Sequence, residues 1–150
     1  MTVDVDLSVF TGFGQEVQHI ASFLSRFPPR IEHAAEFAEE HRVLLLETTD
    51  GIGIDVALGA MPFESNMVDR ATSYDLGDGR TLLTCSAEDL LVLKAFANRD
   101  RDWLDIGGVL IRQKGQLDLA LVARELGPLA ELKGEIVILE KLRKLAEESQ

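Results

Sequence analysis

The sequence predicts an α+β protein: a mixed β-sheet flanked by helices over residues 1–85, and a C-terminal helical subdomain over 86–150 that packs on it as one compact unit. Three observations lead there. TVDVDLSV alternates apolar and acidic residues with the period of a strand, RVLLLETT and GIGIDVALG are short apolar runs that read as strands, and everything after Ser86 carries helical spacing. At 150 residues and 46% hydrophobic composition, the chain can bury a core, and no internal repeat or low-complexity tract marks a second independent domain.

The elements follow in order. After the first strand, QEVQHIASFLSRF repeats Val17, Ile20, Ala21 and Leu24 at helical spacing until Pro28 and Pro29 stop it, and a second helix is expected from Ile31 to His41. RVLLLETT and GIGIDVALG form a hairpin through Asp50-Gly51, a dipeptide that tolerates positive φ. MPFESNMVDRA is a short helix opened by Pro62, and TSYDLGDGRTLLTC is a second hairpin turning at Gly77-Asp78-Gly79. Ser86 is the expected N-cap of a helix through DLLVLKAFA, with Asp89 three residues on. Three further helices are expected, separated by Gly115 and by Gly127-Pro128. Trp103, Leu104, Val109, Leu110 and Ile111 are the expected packing residues, with an adenine-stacking role for Trp103 as the alternative. Gly107-Gly108 suggests close helix packing or a kink. Ile136, Leu139, Leu142 and Leu145 form an apolar stripe for the core or for a protein partner or second copy.

Charge and cysteine content narrow the function. A formal charge of −11 argues against broad DNA binding, an antitoxin-like nucleic-acid binder or adhesion to an anionic membrane. One cysteine, Cys85, cannot make an intrachain disulfide, and no apolar run approaches the roughly 20 residues of a membrane span, so the expected compartment is the cytoplasm. Cys85 reads as a small buried residue. His19, His33 and His41 have no metal-ligand spacing and read as surface positions. TGFGQEV stands between strand and helix like a dinucleotide fingerprint, but Val17 occupies the third glycine position, so it reads as an ordinary turn.

The acids are the stronger signal. Asp4 and Asp6, two residues apart on a strand, share one face, and Asp55 is a lone carboxylate in an otherwise apolar strand. If these strands are neighbours, three hard oxygen ligands converge in a way that suits Mg²⁺ or Mn²⁺. The alternative leaves Asp4 and Asp6 solvated on an edge strand, with Asp55 paired to Lys94 or an arginine.

TVDVDLSV, GIGIDVAL and above all SAEDLLVLKAFANRDRDWLDIGGVL resemble the nucleotidyltransferase superfamily, in particular small bacterial proteins grouped with abortive-infection and toxin-antitoxin nucleotidyltransferases. The similarity spans almost the whole chain. It implies a nucleotidyltransferase-like sheet in which Thr2, Asp4 and Asp6 match the family's Thr-x-Asp-x-Asp strand and Asp55 its third acid, so that Asp4, Asp6 and Asp55 are metal ligands and Asp55 doubles as a catalytic group. Lys94, Arg101, Asp102 and Asp105 match the subgroup's more distinctive helical motif, and Lys94 becomes the candidate contact for the nucleotide phosphates, an ion pair with Asp102 or Asp105 being its other reading. The implied reaction is Mg²⁺- or Mn²⁺-dependent transfer of a nucleoside monophosphate from a nucleoside triphosphate (NTP) to an acceptor hydroxyl on RNA or protein. The alternative is a non-catalytic binding or regulatory module of the same fold. The family's Gly-Gly or Gly-Ser phosphate-binding turn precedes its acidic strand, whereas this sequence opens at Met1 within the motif; little or no transfer by this chain is the expectation that follows.

Overall fold

Alternation at the start of the chain and the two apolar runs do fold as strands of one sheet. The computed structural model describes residues 4–149 and divides into two compact units, Met1–Asp69 and Arg70–Gln150. In the first unit, β1 (Asp4–Phe10) is followed by α1 (Glu16–Leu24), α2 (Ala34–His41), β2 (Val43–Glu47), β3 (Gly53–Gly59) and α3 (Pro62–Arg70), whose last residue falls in the second unit. The sheet is mixed and runs β1-β3-β2, with β1 parallel and β2 antiparallel to β3. Thr48 to Ile52 closes the β2–β3 hairpin, and Gly51 takes the positive φ of +83° that the turn demands.

Period-two alternation decides which side of this sheet is dry. Leu44, Leu46, Ile54, Val56 and Leu58 pack with Ile20 of α1 and with Ala34 and Ala38 of α2. The α1 face is narrower than its spacing suggests: Ile20 is buried, whereas Val17 is 58% exposed. Helix α2 starts at Ala34, later than the expected Ile31, because His33 takes a left-handed φ of +54° immediately before it. Pro28 and Pro29 stop α1 and then serve the sheet. Glu47 N donates to Pro28 O at 3.0 Å and Arg30 N donates to Leu45 O at 3.0 Å, so this segment covers the outer edge of β2.

The second unit opens with the β4 (Thr72–Gly77) and β5 (Arg80–Thr84) hairpin, which therefore groups with the helices, so that the division falls at residue 70 where the sequence suggested 86. Gly77, Asp78 and Gly79 all adopt positive φ in its turn. Four helices follow: α4 (Ala87–Ala97), α5 (Asp100–Arg112), α6 (Leu119–Lys133) and α7 (Val137–Glu148). Ser86 Oγ accepts from Asp89 N at 3.0 Å, the expected N-cap. Among the described residues, no helix is long and apolar enough to cross a membrane.

Four expectations for this unit are corrected. Gly127-Pro128 does not separate two helices, since α6 continues to Lys133 and ends at Gly134 with φ +73°. Pro128 removes a helical donor, at a cost of about 3 kcal/mol, but the buried Leu126, Leu129 and Ala130 on either side hold the helix in place. In α5, Trp103, Val109 and Leu110 pack inward as expected, but Leu104 and Ile111 are 79% and 67% exposed, and the inward stripe contains Asp102 and Ile106 instead. In α7 the dry face is Ile138, Leu142 and Ala146, spaced by four, whereas Ile136 is exposed. Gly107 has open space at its Cα and Gly108 faces only the Arg112 side chain, so neither marks a close helix crossing.

Candidate functional site

Strand register places the three candidate carboxylates on one side of the first sheet. Asp6 and Asp55 are direct partners across the parallel β1–β3 pair, and Asp4 is opposite Gly53, two positions earlier on both strands. Residues in register point the same way, and so do residues two apart, so Asp4, Asp6 and Asp55 share the face opposite the core. Asp4 and Asp6 are exposed and Asp55 is partly exposed. Thr2, the first residue of the motif, lies outside the described residues.

Arg30 also occupies this face. Its backbone is anchored at the β2 edge, and its side chain crosses β2 so that Nη2 donates to Asp55 Oδ1 at 2.6 Å. The guanidinium reaches Gly53 as well. A Cβ built on Gly53 would collide with Arg30 Nη1 and would lie 2.6 Å from Asp4 Oδ1, so the absence of a side chain at 53 makes room for the arginine and Asp4 together. The alternative reading of Asp55 as an ion-paired acid thus holds, with Arg30 as its arginine. Asp6 makes no ion pair among the described residues, and Glu47, in register with Gly53, adds a fourth carboxylate to the face that Arg30 reaches.

Whether these acids fit a divalent cation has two sides. Their donor chemistry fits: three hard oxygen ligands on one solvent-facing surface, with negative charge in excess. Their arrangement is not closed around an ion, since among the described residues no three His, Cys, Asp or Glu side chains are grouped so as to hold a metal. The Arg30–Asp55 pair has side chains 33% and 35% exposed, and a pair that open to water contributes about 1 kcal/mol or less.

Lys94 belongs to the second unit and has the ion-pair role there. Its Nζ donates to Asp105 Oδ2 at 2.6 Å and to Asp102 Oδ1 at 3.4 Å. Hydrogen bonding to Asp105, reinforced by Asp102 and opposed by desolvation, holds the ammonium above its ordinary pKa. Asp102 is fully buried and also accepts from Arg99 Nε at 2.6 Å. Burial alone would raise the Asp102 carboxyl, but Arg99 and Lys94 together pull it below the usual carboxylate range. Trp103 is buried, donates Nε1–H to Asn98 Oδ1 at 2.8 Å and lies under the Lys141 ammonium, which leaves its ring engaged in packing.

Two further clusters had no clear sequence signal. Arg42 gathers the TGFG turn, donating to Thr11 Oγ1 at 3.0 Å and Gly12 O at 3.2 Å, pairing with Glu16 and stacking on Phe13. This confirms an ordinary, internally braced turn. Arg70 ties the buried Asp89 to Glu125. Cys85 is half-buried rather than fully buried, and burial together with the Asp89 carboxylate pushes its thiol up, away from a nucleophilic thiolate. His33 and His41 are exposed, and His19 is partly so. No family model matches the sequence, and no curated protein shows a significant match to it.

Proposed function

We propose that this chain is a nucleotidyltransferase-like protein that uses the Asp4, Asp6 and Asp55 face to transfer a nucleoside monophosphate from an NTP to an acceptor hydroxyl, with Mg²⁺ or Mn²⁺. The observation that carries this reading is the Asp6–Asp55 register, which sets acids from two strands side by side on the face that Asp4 shares, with Arg30 paired to Asp55. Asp4, Asp6 and Asp55 are the residues that would hold the ion, which supplies charge neutralisation for the triphosphate and polarisation of its α-phosphate. Asp55, once released from Arg30, is the group placed to accept the acceptor's proton as its oxygen bonds to the α-phosphorus and pyrophosphate departs. Arg30, displaced from Asp55, is a guanidinium suited to bidentate phosphate contact. Lys94 as a phosphate contact requires it to give up Asp105.

A second reading, a non-catalytic binding or regulatory module of the same fold, is favoured by Arg30 already pairing with the acid that catalysis would use. One experiment separates them. The chain is incubated with each α-labelled NTP, Mg²⁺ or Mn²⁺ and cellular RNA or protein, and its melting temperature is followed with and without the ion. Label transfer, together with an ion-induced rise that Asp6→Asn abolishes, supports the enzyme. Absence of transfer, with an ion response equal in wild type and Asp6→Asn, overturns it in favour of the module.

A further inference from the structure

The two edges of the first sheet are finished differently. The outer edge of β2 is covered by hydrogen bonds to Pro28 and Arg30. On β1, no residue from Asp4 to Phe10 makes a backbone hydrogen bond outside its pairing with β3 among the described residues. Its inner side chains are equally unfinished. Val5 and Leu7 are in register with the buried Ile54 and Val56 and point the same way, yet they remain 46% and 38% exposed, and only Val9 reaches the core cluster. DVDLSVF contains no proline or lysine and its register with β3 is unbroken, so the charge of Asp4 and Asp6 is what guards this edge.

Charge selects the occupant. A second copy pairing antiparallel along the whole of β1 would set Asp4 against Phe10 and Asp6 against Ser8, with the two Asp6 side chains on the diagonal, so it offers these acids no opposite charge. A strand bearing lysine or arginine at alternate positions meets the opposite condition, because its cations lie beside Asp4 and the unpaired Asp6 while its other residues extend the apolar surface of Val5 and Leu7. We propose that the free edge of β1 is a strand-addition site for an extended segment of a partner protein in which basic and apolar residues alternate. Backbone hydrogen bonds to β1 supply the binding, and the two aspartates set the choice of partner. This goes beyond the nucleotidyltransferase reading, and it requires neither nucleotide nor metal.

The test uses the whole chain in EDTA, without nucleotide, and a capped peptide of about eight residues alternating valine and lysine. Binding is followed by amide chemical shifts and hydrogen exchange. Shifts centred on Asp4–Phe10, with slowed exchange of alternate β1 amides, are expected. Methylating alternate peptide nitrogens should abolish binding, because the ladder needs those donors. The Asp4→Lys, Asp6→Lys double variant, at exposed positions and checked for an unchanged circular dichroism spectrum, should weaken the lysine peptide about tenfold or more and favour a valine–glutamate peptide instead. Equal binding of the methylated peptide would overturn the proposal, as would shifts centred elsewhere or no binding at all. A peptide-free dimer with β1 already protected would overturn it in favour of a second copy. Because ions and NTP are excluded, none of these failures bears on nucleotidyl transfer.

Discussion

The two units each carry a cluster of acids with basic partners, and the clusters are built on opposite principles. In the first, Asp4 and Asp6 lie open to water and the partly exposed Asp55 pairs with Arg30. In the second, Asp102 is fully buried between two cations, Lys94 and Arg99, while Asp105 takes the other side of Lys94 at the surface. A buried carboxylate must be fully paired or it destabilises the fold. An exposed one survives without that, and so is free to be used. The balance of charge and exposure therefore separates a cluster that holds α4 to α5 from one that is available for binding, although both attracted attention in the sequence for the same residue types.

The comparison breaks first at Asp102. Replacing it with Asn leaves Lys94 and Arg99 without their shared carboxylate, and urea unfolding should show a loss of about 3 kcal/mol. A loss below about 0.5 kcal/mol would show that the cluster is ornamental. The same residue gives an acid limit. Its folded pKa lies below the roughly 3.9 of an unfolded aspartate, so its contribution is fully present above that value and disappears as pH falls through the folded pKa. Stability measured between pH 5 and pH 2 should fall more steeply in wild type than in Asp102→Asn.

A metal response is the next effect in size. Under the proposed function, Mg²⁺ or Mn²⁺ at 100 times its dissociation constant should add about 2.7 kcal/mol of stability, read as a melting shift that Asp6→Asn removes and Asp102→Asn retains. Gly53→Ala comes third. The new methyl group must push Arg30 or Asp4 aside, and an expected cost of about 1 kcal/mol should be accompanied by loss of the Arg30–Asp55 contact, visible in the arginine side-chain resonances. Smallest is Arg30→Gln, which should change stability by less than about 1 kcal/mol while tightening divalent-ion binding in calorimetry, because it removes the competing cation. Lys94→Met deletes one positive charge just as Arg30→Gln does, and a comparable small effect from both would erase the distinction between the clusters.

Much of this was legible from residue order because the relevant physics is local. The alternation TVDVDLSV, the Asp50-Gly51 turn and the Ser86 cap each encode their element within a few positions, and all three strands of the first sheet form where those patterns lie. That Asp4, Asp6 and Asp55 share a face also followed, once the two strands were assumed to be neighbours. What could not be read depends on distant partners. Arg30 follows two prolines, and nothing in PPR says that its side chain will cross a strand to reach Asp55 and lie over Gly53. Pro128 looked like a helix stop because local propensity says so, yet the buried Leu126, Leu129 and Ala130 outweigh it. Leu104 and Ile111 looked like core because they are apolar, but the α5 stripe rotates to bury Asp102, which only its two cations make tolerable.

The β4–β5 hairpin has a bearing on how the chain ages in solution. Every residue of both strands is exposed, including Tyr74, Leu76, Leu82 and Leu83, so its ladder bonds have water at both faces and little packing to hold them closed. Segments of that kind open locally at a small fraction of the global cost. A protease therefore meets an accessible backbone between Thr72 and Thr84 long before it meets the strands of the first sheet. Tyr74 and Arg80 offer cleavage sites to chymotrypsin-like and trypsin-like enzymes, and a single cut there falls close to the boundary at residue 70. The natural first products of digestion are then the sheet unit with a short tail and the four-helix unit, each of a size suited to separate study.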